Sequence, residues 1–244
     1  MGIRILGLRG IREVRRGDDL GALIRESASV EGCALDSTAI VVVAQKVVSK
    51  AEGAEIDLRS IEPSALAREW AGRWHKDARL IEVVLQQSRR IVKMERGVLI
   101  AETHHGFVAA NAGVDQSNVP GEDRVTLLPA DPDASACRLR VQLGCGAVII
   151  SDTFGRPWRE GLVNVAIGVS GLEPLEDYRG RLDYAGKPLH STVIALADEI
   201  AAAAGLVMRK ADGVPVAIVS GLDWVPAEGS GRALLRDPAH DLFR

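Results

Sequence analysis

Residues 39–53 read AIVVVAQKVVSKAEG, and this stretch decides how the rest of the chain is interpreted. Its first part, 39–44, is a β-branched run of the kind that a strand buried on both faces requires. Its second part, 45–53, places lysines and hydroxyl groups at the carboxyl end of that strand. Polar segments at strand ends are common positions for ligand-binding loops. We therefore predict a central buried strand followed by a polar loop that contacts a ligand.

The flanking sequence predicts strands and helices on both sides of this central strand. Residues 90–110 contain three short apolar pieces separated by two turns, a pattern that predicts an antiparallel β-meander. The long apolar stretch 189–208 predicts a helix, and its many alanines would allow close approach to a neighbouring element. Further strands are expected at 3–8, 147–150, 163–169 and 214–220, and further helices at 20–27, 63–74, 77–87 and 133–143.

The composition is that of a folded protein without a strong net charge. Of the 244 residues 47% are apolar, and 30 basic against 33 acidic side chains give a formal net charge of −3. This balance provides no global field that would attract nucleic acid. No apolar run approaches the roughly 20 residues that cross a bilayer, and the first residues lack a signal-peptide core. We expect a cytoplasmic protein that binds neither nucleic acid nor membrane.

The familiar catalytic and metal-binding motifs are absent from the sequence. There is no P-loop, no Gly-rich dinucleotide fingerprint, no nucleophile elbow and no H-E-x-x-H pair, which disfavours the enzyme classes built on them. The five histidines do not have the spacing of a zinc site. Cys33, Cys137 and Cys145 form no C-x-x-C pair, and we interpret all three as packing thiols.

Three polar segments that each follow a predicted strand have complementary chemistry. The first is 45–53, with its lysines; the second is 111–118, and the third is 151–159, both with carboxylate, amide and hydroxyl oxygens. Oxygen ligands and ammonium donors are what a polyphosphate bound to Mg²⁺ or Mn²⁺ requires, which makes a nucleotide site plausible. The alternative is that Asp115 and Asp152 only form Asx turns at strand ends. The residues alone leave both interpretations open.

The same segments resemble the coenzyme F-420:L-glutamate ligases, also called F-420 gamma-glutamyl ligases. The resemblance covers essentially the whole chain, and six ordered segments of this kind are more specific than any single motif. They are GDDL at 17–20, KVVSKAEG at 46–53, AGVDQSNV at 112–119, PADPDASA at 129–136, SDTFGRPWR at 151–159 and ADEIA at 197–201.

The resemblance implies an enzyme that uses GTP and a divalent metal to form amide bonds. It would attach L-glutamate to a precursor of the deazaflavin coenzyme through an acyl phosphate, and would then add gamma-linked glutamate. The implied metal is Mg²⁺ or Mn²⁺, and K⁺ is a further candidate. The implied fold is α+β, with mixed sheets and packed helices in two lobes, in an intertwined homodimer. Residues 1–244 would be one ligase domain without the nitroreductase-like domain that follows in many actinobacterial relatives.

The resemblance also assigns roles to individual residues. The expected metal ligands are Asp115, Asp152 and Thr153, and the expected nucleotide contacts are Gln45, Lys46, Lys50 and Asn118, with weaker contacts at 11–14 and 210–216. Lys50, Asp115 and Asp152 would be catalytic, because phosphoryl transfer depends on placement and charge neutralisation. Arg156 and Arg159 would meet the anionic coenzyme, since guanidinium groups pair with phosphate and carboxylate.

Two other functions are compatible with the same residues. A metal-dependent nucleotide hydrolase would use water as the acceptor, and a non-catalytic nucleotide-binding protein would transfer nothing. Only a ligase would release phosphate from GTP in a way that depends on both glutamate and the coenzyme.

Overall fold

The computed structural model describes residues 2–116 and 123–241, and its strands form one large sheet and three small ones within those ranges. In chain order the strands are β1 (Arg4–Leu8), β2 (Ile40–Ala44), β3 (Glu55–Asp57), β4 (Ser88–Glu95), β5 (Val98–Thr103), β6 (Val108–Ala110), β7 (Arg124–Thr126), β8 (Ala147–Arg156), β9 (Arg159–Leu172), β10 (Glu176–Asp177), β11 (Val193–Ile194), β12 (Val216–Ser220) and β13 (Pro226–Ala227).

The helices begin mostly at side-chain caps that the sequence supplies. Asp19, Ser64, Asp77 and Asp131 each accept a hydrogen bond from a first-turn N–H group and so begin a helix.

Among the helices in the described ranges, none is long and apolar enough to cross a bilayer. The helices are α1 (Leu20–Val30), α2 (Gln45–Glu52), α3 (Ala65–Trp74), α4 (Ala78–Gln86), α5 (Pro132–Leu143) and α6 (Leu196–Met208).

The large sheet has the strand order β1-β12-β2-β8-β9-β13, with β2 and β8 parallel and the other neighbours antiparallel. Both faces of β2 are buried: Ile40 and Val42 pack in the cluster that contains α6, while Val41 and Val43 pack in the cluster that contains α1 and α5. None of these four side chains has exposed surface. The predicted central strand and the mixed α+β class are therefore confirmed.

A third apolar cluster lies under the small sheets. The meander β4-β5-β6 is antiparallel, as predicted, and Leu99 and Ala101 of its middle strand point into this cluster. The helices α3 and α4 cover it with Trp70, Ile81 and Val84. The short pair β3 and β7 closes the cluster, and the chain after β7 passes through α5 before it enters the large sheet at β8.

Two partly buried aspartates connect β9 to helices on either side of the sheet. Asp133 of α5 accepts from the Val169 N–H at 2.8 Å and from the Gly231 N–H at 2.7 Å. Asp198 of α6 accepts from the Ala166 N–H at 2.8 Å, and burial raises the pKa of its carboxyl group. These contacts hold β9 in place on both of its faces.

Two segments that we expected to be loops have regular structure. Residues 45–52 form α2 instead of a polar loop, because Val48 packs in the core and Gly53 ends the helix at φ 73°. The strand expected at 147–150 continues to Arg156, since residues 151–156 pair with the antiparallel strand β9. The third polar segment is therefore the end of a β-hairpin.

The helix expected at 189–208 begins only at Leu196, because residues 193–194 pair with β10. Its alanines Ala197, Ala201 and Ala204 are buried against the large sheet of the same chain.

The expectation of three packing thiols is wrong for Cys137, which is exposed on α5, while Cys145 is buried and Cys33 is partly buried.

Candidate active site

The parallel pairing of β2 and β8 brings two of the three polar segments to one edge of the large sheet. Ala44, the last residue of β2, is opposite Ser151 of β8. The chain continues from Ala44 directly into α2 and from Ser151 to Asp152. Because β2 ends opposite Ser151 while β8 continues, the first turn of α2 begins beside Asp152, and the charge of Lys46 acts on the Asp152 carboxyl group.

Helix α2 presents two lysines to this edge. Lys46 and Lys50 are one helical turn apart and so share a face. The Lys46 ammonium is 2.8 Å from the Asp115 carboxylate, and the Lys50 ammonium is 2.5 Å from the Glu13 carboxylate. Lys50 is only 5% exposed, so its charge is held inside the protein by this ion pair. The lysines thus link the segment before α1 and the segment before β7 to one helix.

The position of Asp115 is fixed by its backbone. Its N–H donates to the Thr126 carbonyl at 3.0 Å, and its own carbonyl accepts from the Thr126 N–H at 2.8 Å. The Thr126 hydroxyl, which is fully buried, donates to the same carbonyl at 3.2 Å. These three hydrogen bonds leave the Asp115 side chain directed at Lys46.

The Asp152 carboxyl group is partly buried, and this burial is the main cause that raises its pKa to about 6. The N–H of Thr153 and the positive charges of Lys210 and Lys46 oppose the rise, while the negative charge of Asp115 adds to it. Lys46, Lys210 and Asp115 are therefore each close enough to act on the charge of Asp152. Perturbed carboxyl groups of this kind are frequent at active sites.

The Thr153 hydroxyl lies on the other face of the sheet from Asp152. Successive strand residues point to opposite faces, and Asp152 shares the face of Val165 and Phe154, which pack with the cluster of α1 and α5. The Thr153 hydroxyl donates to the Asn164 side-chain carbonyl at 2.9 Å and accepts from the Lys210 ammonium at 2.6 Å. These two partners of the hydroxyl are therefore on the α6 side of the sheet, and its assignment as a metal ligand stays a prediction.

Gln45, an expected nucleotide contact, has a buried side chain with protein partners. Its Nε2 donates to the Leu127 carbonyl at 3.1 Å and to the Ser49 hydroxyl at 3.2 Å. Leu127 follows Thr126, the residue that holds Asp115. The Gln45 amide therefore joins α2 to the chain that positions Asp115.

The remaining expected site residues have different locations. Arg156 lies in the tight end of the β8–β9 hairpin, where its guanidinium donates to the Glu160 and Gly161 carbonyls. Arg159 begins β9 beside Trp158, which is 81% exposed at φ 59°. Asn118 lies outside the described residues.

Residues 11–14 border a cleft next to Lys50, and this cleft is lined by Arg12, Glu13, Arg15 and Asp18. Arg12 and Asp18 form an ion pair at 2.6 Å across it.

The donor set fits a hard divalent cation that shares its ligands with a phosphate. Within residues 2–116 and 123–241 no group of three or more His, Cys, Asp or Glu side chains could hold a metal by itself. Asp115 and Asp152 supply two carboxylates, and Mg²⁺ typically takes one or two of these and completes its shell with water and substrate phosphate. Helix α2 has no side-chain cap at Ala44, and its amino end would favour such an anion.

The fold is a mixed α+β arrangement in which two lysines and two carboxylates lie at one edge of the large sheet. Comparison with known proteins identifies the class more narrowly. A family model described as F420-0:Gamma-glutamyl ligase matches residues 9–221, and the chain belongs to this family.

Curated relatives agree with the family match. The Coenzyme F420:L-glutamate ligase of Methanothermobacter thermautotrophicus is 45% identical, with 100% of each chain covered. The Coenzyme F420:L-glutamate ligase of Methanopyrus kandleri is 47% identical over 96% of this chain and 94% of its own length. That of Methanocaldococcus jannaschii is 43% identical over 84% of each chain. The resemblance found in the sequence is thereby confirmed.

The contacts of Gln45 generate a prediction about stability. Gln45→Leu should lower the free energy of unfolding by about 1–3 kcal/mol, because the partly buried Leu127 carbonyl loses its side-chain donor. Urea denaturation measures the change. Gln86→Leu on α4 is the matched control: Gln86 is exposed and its amide donates to Glu82 at 3.4 Å, so we expect a change within about 0.5 kcal/mol. Unaltered stability together with weaker GTP binding in Gln45→Leu would contradict the structural role.

Proposed function

We propose that this protein uses GTP and a divalent metal to join L-glutamate to a precursor of coenzyme F-420, and that it then adds gamma-linked glutamate. The observation that carries the proposal is the meeting of Asp115, Asp152 and Lys46 at one edge of the sheet. Membership of a ligase family supports amide formation in preference to plain nucleotide hydrolysis or binding without catalysis.

The chemistry requires activation of a carboxylate. Amide formation from a carboxylate and an amine is uphill in water, and transfer of a phosphoryl group from GTP to the carboxylate makes an acyl phosphate that an amine can attack. Bound Mg²⁺ or Mn²⁺ would neutralise the phosphate charge that develops during transfer. Asp115 and Asp152 would hold this metal, with K⁺ as a further candidate ion. The Thr153 hydroxyl, on the other face of the sheet, serves the same site through Lys210.

The lysines have a separate task in this reaction. Lys46, Lys50 and Lys210 would donate hydrogen bonds to the phosphates, and each charge-assisted bond stabilises the bound nucleotide more than a neutral one. Gln45 would act by holding α2 against the Asp115 segment, and Asn118 stays a predicted nucleotide contact. The buried position of Lys50 favours a polyphosphate that reaches into the cleft at 11–14.

A direct route through an acyl phosphate is favoured over an acyl-enzyme. The Ser49 hydroxyl is fully buried and accepts from Gln45, and the Thr153 hydroxyl is bonded to Asn164. The Cys145 thiol is buried, and burial raises its pKa to about 11, which makes it a poor nucleophile. These groups do not provide an activated nucleophile near Asp152.

The exposed end of the β8–β9 hairpin is the proposed contact for the coenzyme. Arg156 and Arg159 would pair with its phosphodiester and carboxylates, since guanidinium binds both in bidentate geometry. Trp158 lies between the two arginines and is exposed, so its ring can stack on a flat heterocycle.

We also propose that the protein is a homodimer. The alanine face of α6 is buried within the chain, so the contact would involve other surfaces, such as the exposed Leu162 of β9. Light scattering at micromolar concentration should give twice the chain mass of 26.1 kDa. A mass of one chain would contradict the proposal.

Asp152→Asn tests the metal assignment. The substitution should lower the rate of ligation by about 100-fold or more, because a metal ligand is lost. It should not lower the stability to urea, because the Asp152 carboxylate is partly buried and its charge is disfavoured there. Full activity at saturating Mg²⁺ would show that Asp152 does not bind the metal.

The order of bond formation can be followed with oxygen-18 in the acceptor carboxylate. If the carboxylate is phosphorylated first and the glutamate amine then displaces phosphate, one labelled oxygen leaves in inorganic phosphate. Mass spectrometry of the phosphate and of the coenzyme product measures this transfer. Label that stays wholly in the product would exclude the acyl phosphate, and phosphate release without glutamate would indicate a nucleotide hydrolase.

A further inference from the structure

A directional hydrogen-bond network lies on the α6 side of the candidate site. Asn164 is directly opposite Thr153 in the pairing of β8 and β9. The Lys210 ammonium can only donate, so the Thr153 hydroxyl accepts from it at 2.6 Å. The single hydrogen of that hydroxyl then goes to the Asn164 Oδ1 at 2.9 Å. The order of donors is therefore fixed, from Lys210 to Thr153 to Asn164.

The position of Asn164 depends on a glycine in α6. A Cβ atom at residue 205 would lie 3.0 Å from the Asn164 Nδ2 and 3.3 Å from its Cγ, closer than ordinary contacts. Glycine inside a helix is less favourable than alanine by about 1 kcal/mol. In this alanine-rich helix, Gly205 is accounted for by the close approach of the Asn164 amide.

The backbone after α6 directs Lys210 toward this network. Arg209 ends the helix at φ 48° and ψ −176°, a conformation that non-glycine residues rarely adopt. The chain turns there, and the exposed Lys210 side chain extends to the Thr153 hydroxyl. A free lysine side chain has many rotamers, and restricting them before a ligand binds removes part of the entropy cost of binding.

We propose that Asn164 is a positioning residue for the nucleotide phosphates, because it holds the Thr153 hydroxyl and thereby the Lys210 ammonium at the sheet edge that carries Asp152. The inference rests on the proposed use of GTP. In this proposal the Thr153 hydroxyl acts on the α6 side of the sheet by holding Lys210, and Gly205 leaves space for the Asn164 amide.

The test measures binding of the fluorescent nucleotide mant-GTP with Mg²⁺, together with the KM values for GTP and glutamate. Asn164→Ala and Thr153→Val should each raise the Kd for mant-GTP about three- to tenfold, with an unchanged KM for glutamate. Thr153→Ser keeps the hydroxyl and should bind within about twofold of the unaltered protein. Gly205→Ala, which favours the helix but displaces the amide, should weaken binding as Asn164→Ala does.

A double substitution separates positioning from a general structural effect. Lys210→Met should weaken mant-GTP binding, and adding Asn164→Ala to it should cause no further loss, since the lysine it positions is gone. Lys93→Met, which removes an exposed lysine paired with Glu95 on β4, is the matched control and should bind normally.

The two possible failures are distinguishable. Equal losses from Asn164→Ala with and without Lys210 would overturn the inference, as would normal nucleotide binding by Asn164→Ala and Gly205→Ala. If the unaltered protein neither binds mant-GTP nor consumes GTP with glutamate and the coenzyme precursor, the proposed function itself is wrong.

Discussion

The site depends on the parallel pairing of β2 with β8. This pairing is possible because the residues from Ile40 to Val43 are buried on both faces, with α6 on one side and α1 and α5 on the other. It places Ala44 opposite Ser151, so that the start of α2 and Asp152 occupy one edge. A shift of one residue in this register would exchange the two faces of β2.

Charge compensation organises the groups that meet at this edge. Lys46 is paired with Asp115, buried Lys50 with Glu13, and Lys210 is held by the Thr153 hydroxyl near Asp152. Lys50 is buried, so its charge would be costly without Glu13, whereas the Asp115 and Glu13 carboxylates are partly exposed to water. The same mixture of opposite charges suits a ligand that is itself a cation bound to an anion.

The sequence predicted the parts of the fold that local patterns determine. The β-branched run before Gln45 and the helix that begins at Leu20 have short-range signals, and both were found. Residues 45–52 were misjudged because polar side chains obscured a helix whose apolar side is only Val47, Val48 and Ala51. Residues 151–156 were expected to be a loop, because the pairing with β9 that makes them a strand is not visible in their own sequence pattern.

The site was less predictable because its contacts are between distant parts of the chain. Asp115 is held by Thr126, which carries no motif, and Gln45 joins α2 to Leu127. Asn164 was missed because it sits within a strand. The one local signal was Gly205, a residue unfavourable inside a helix, and its reason is visible only when β9 is packed against α6. The role that a family resemblance assigns to a residue can therefore be explained physically only when the contacts of its side chain are known.

The ion pair between Lys46 and Asp115 has a consequence for how ligands enter. A cation that arrives alone at Asp115 must displace an ammonium group from its carboxylate, and an anion that arrives alone at Lys46 must displace the carboxylate. When a cation and a polyphosphate bind together, the cation replaces the Lys46 ammonium at Asp115 and the polyphosphate replaces the Asp115 carboxylate at Lys46. Every charge then again lies beside an opposite charge. The two ligands should therefore bind cooperatively, each making the other's entry less costly.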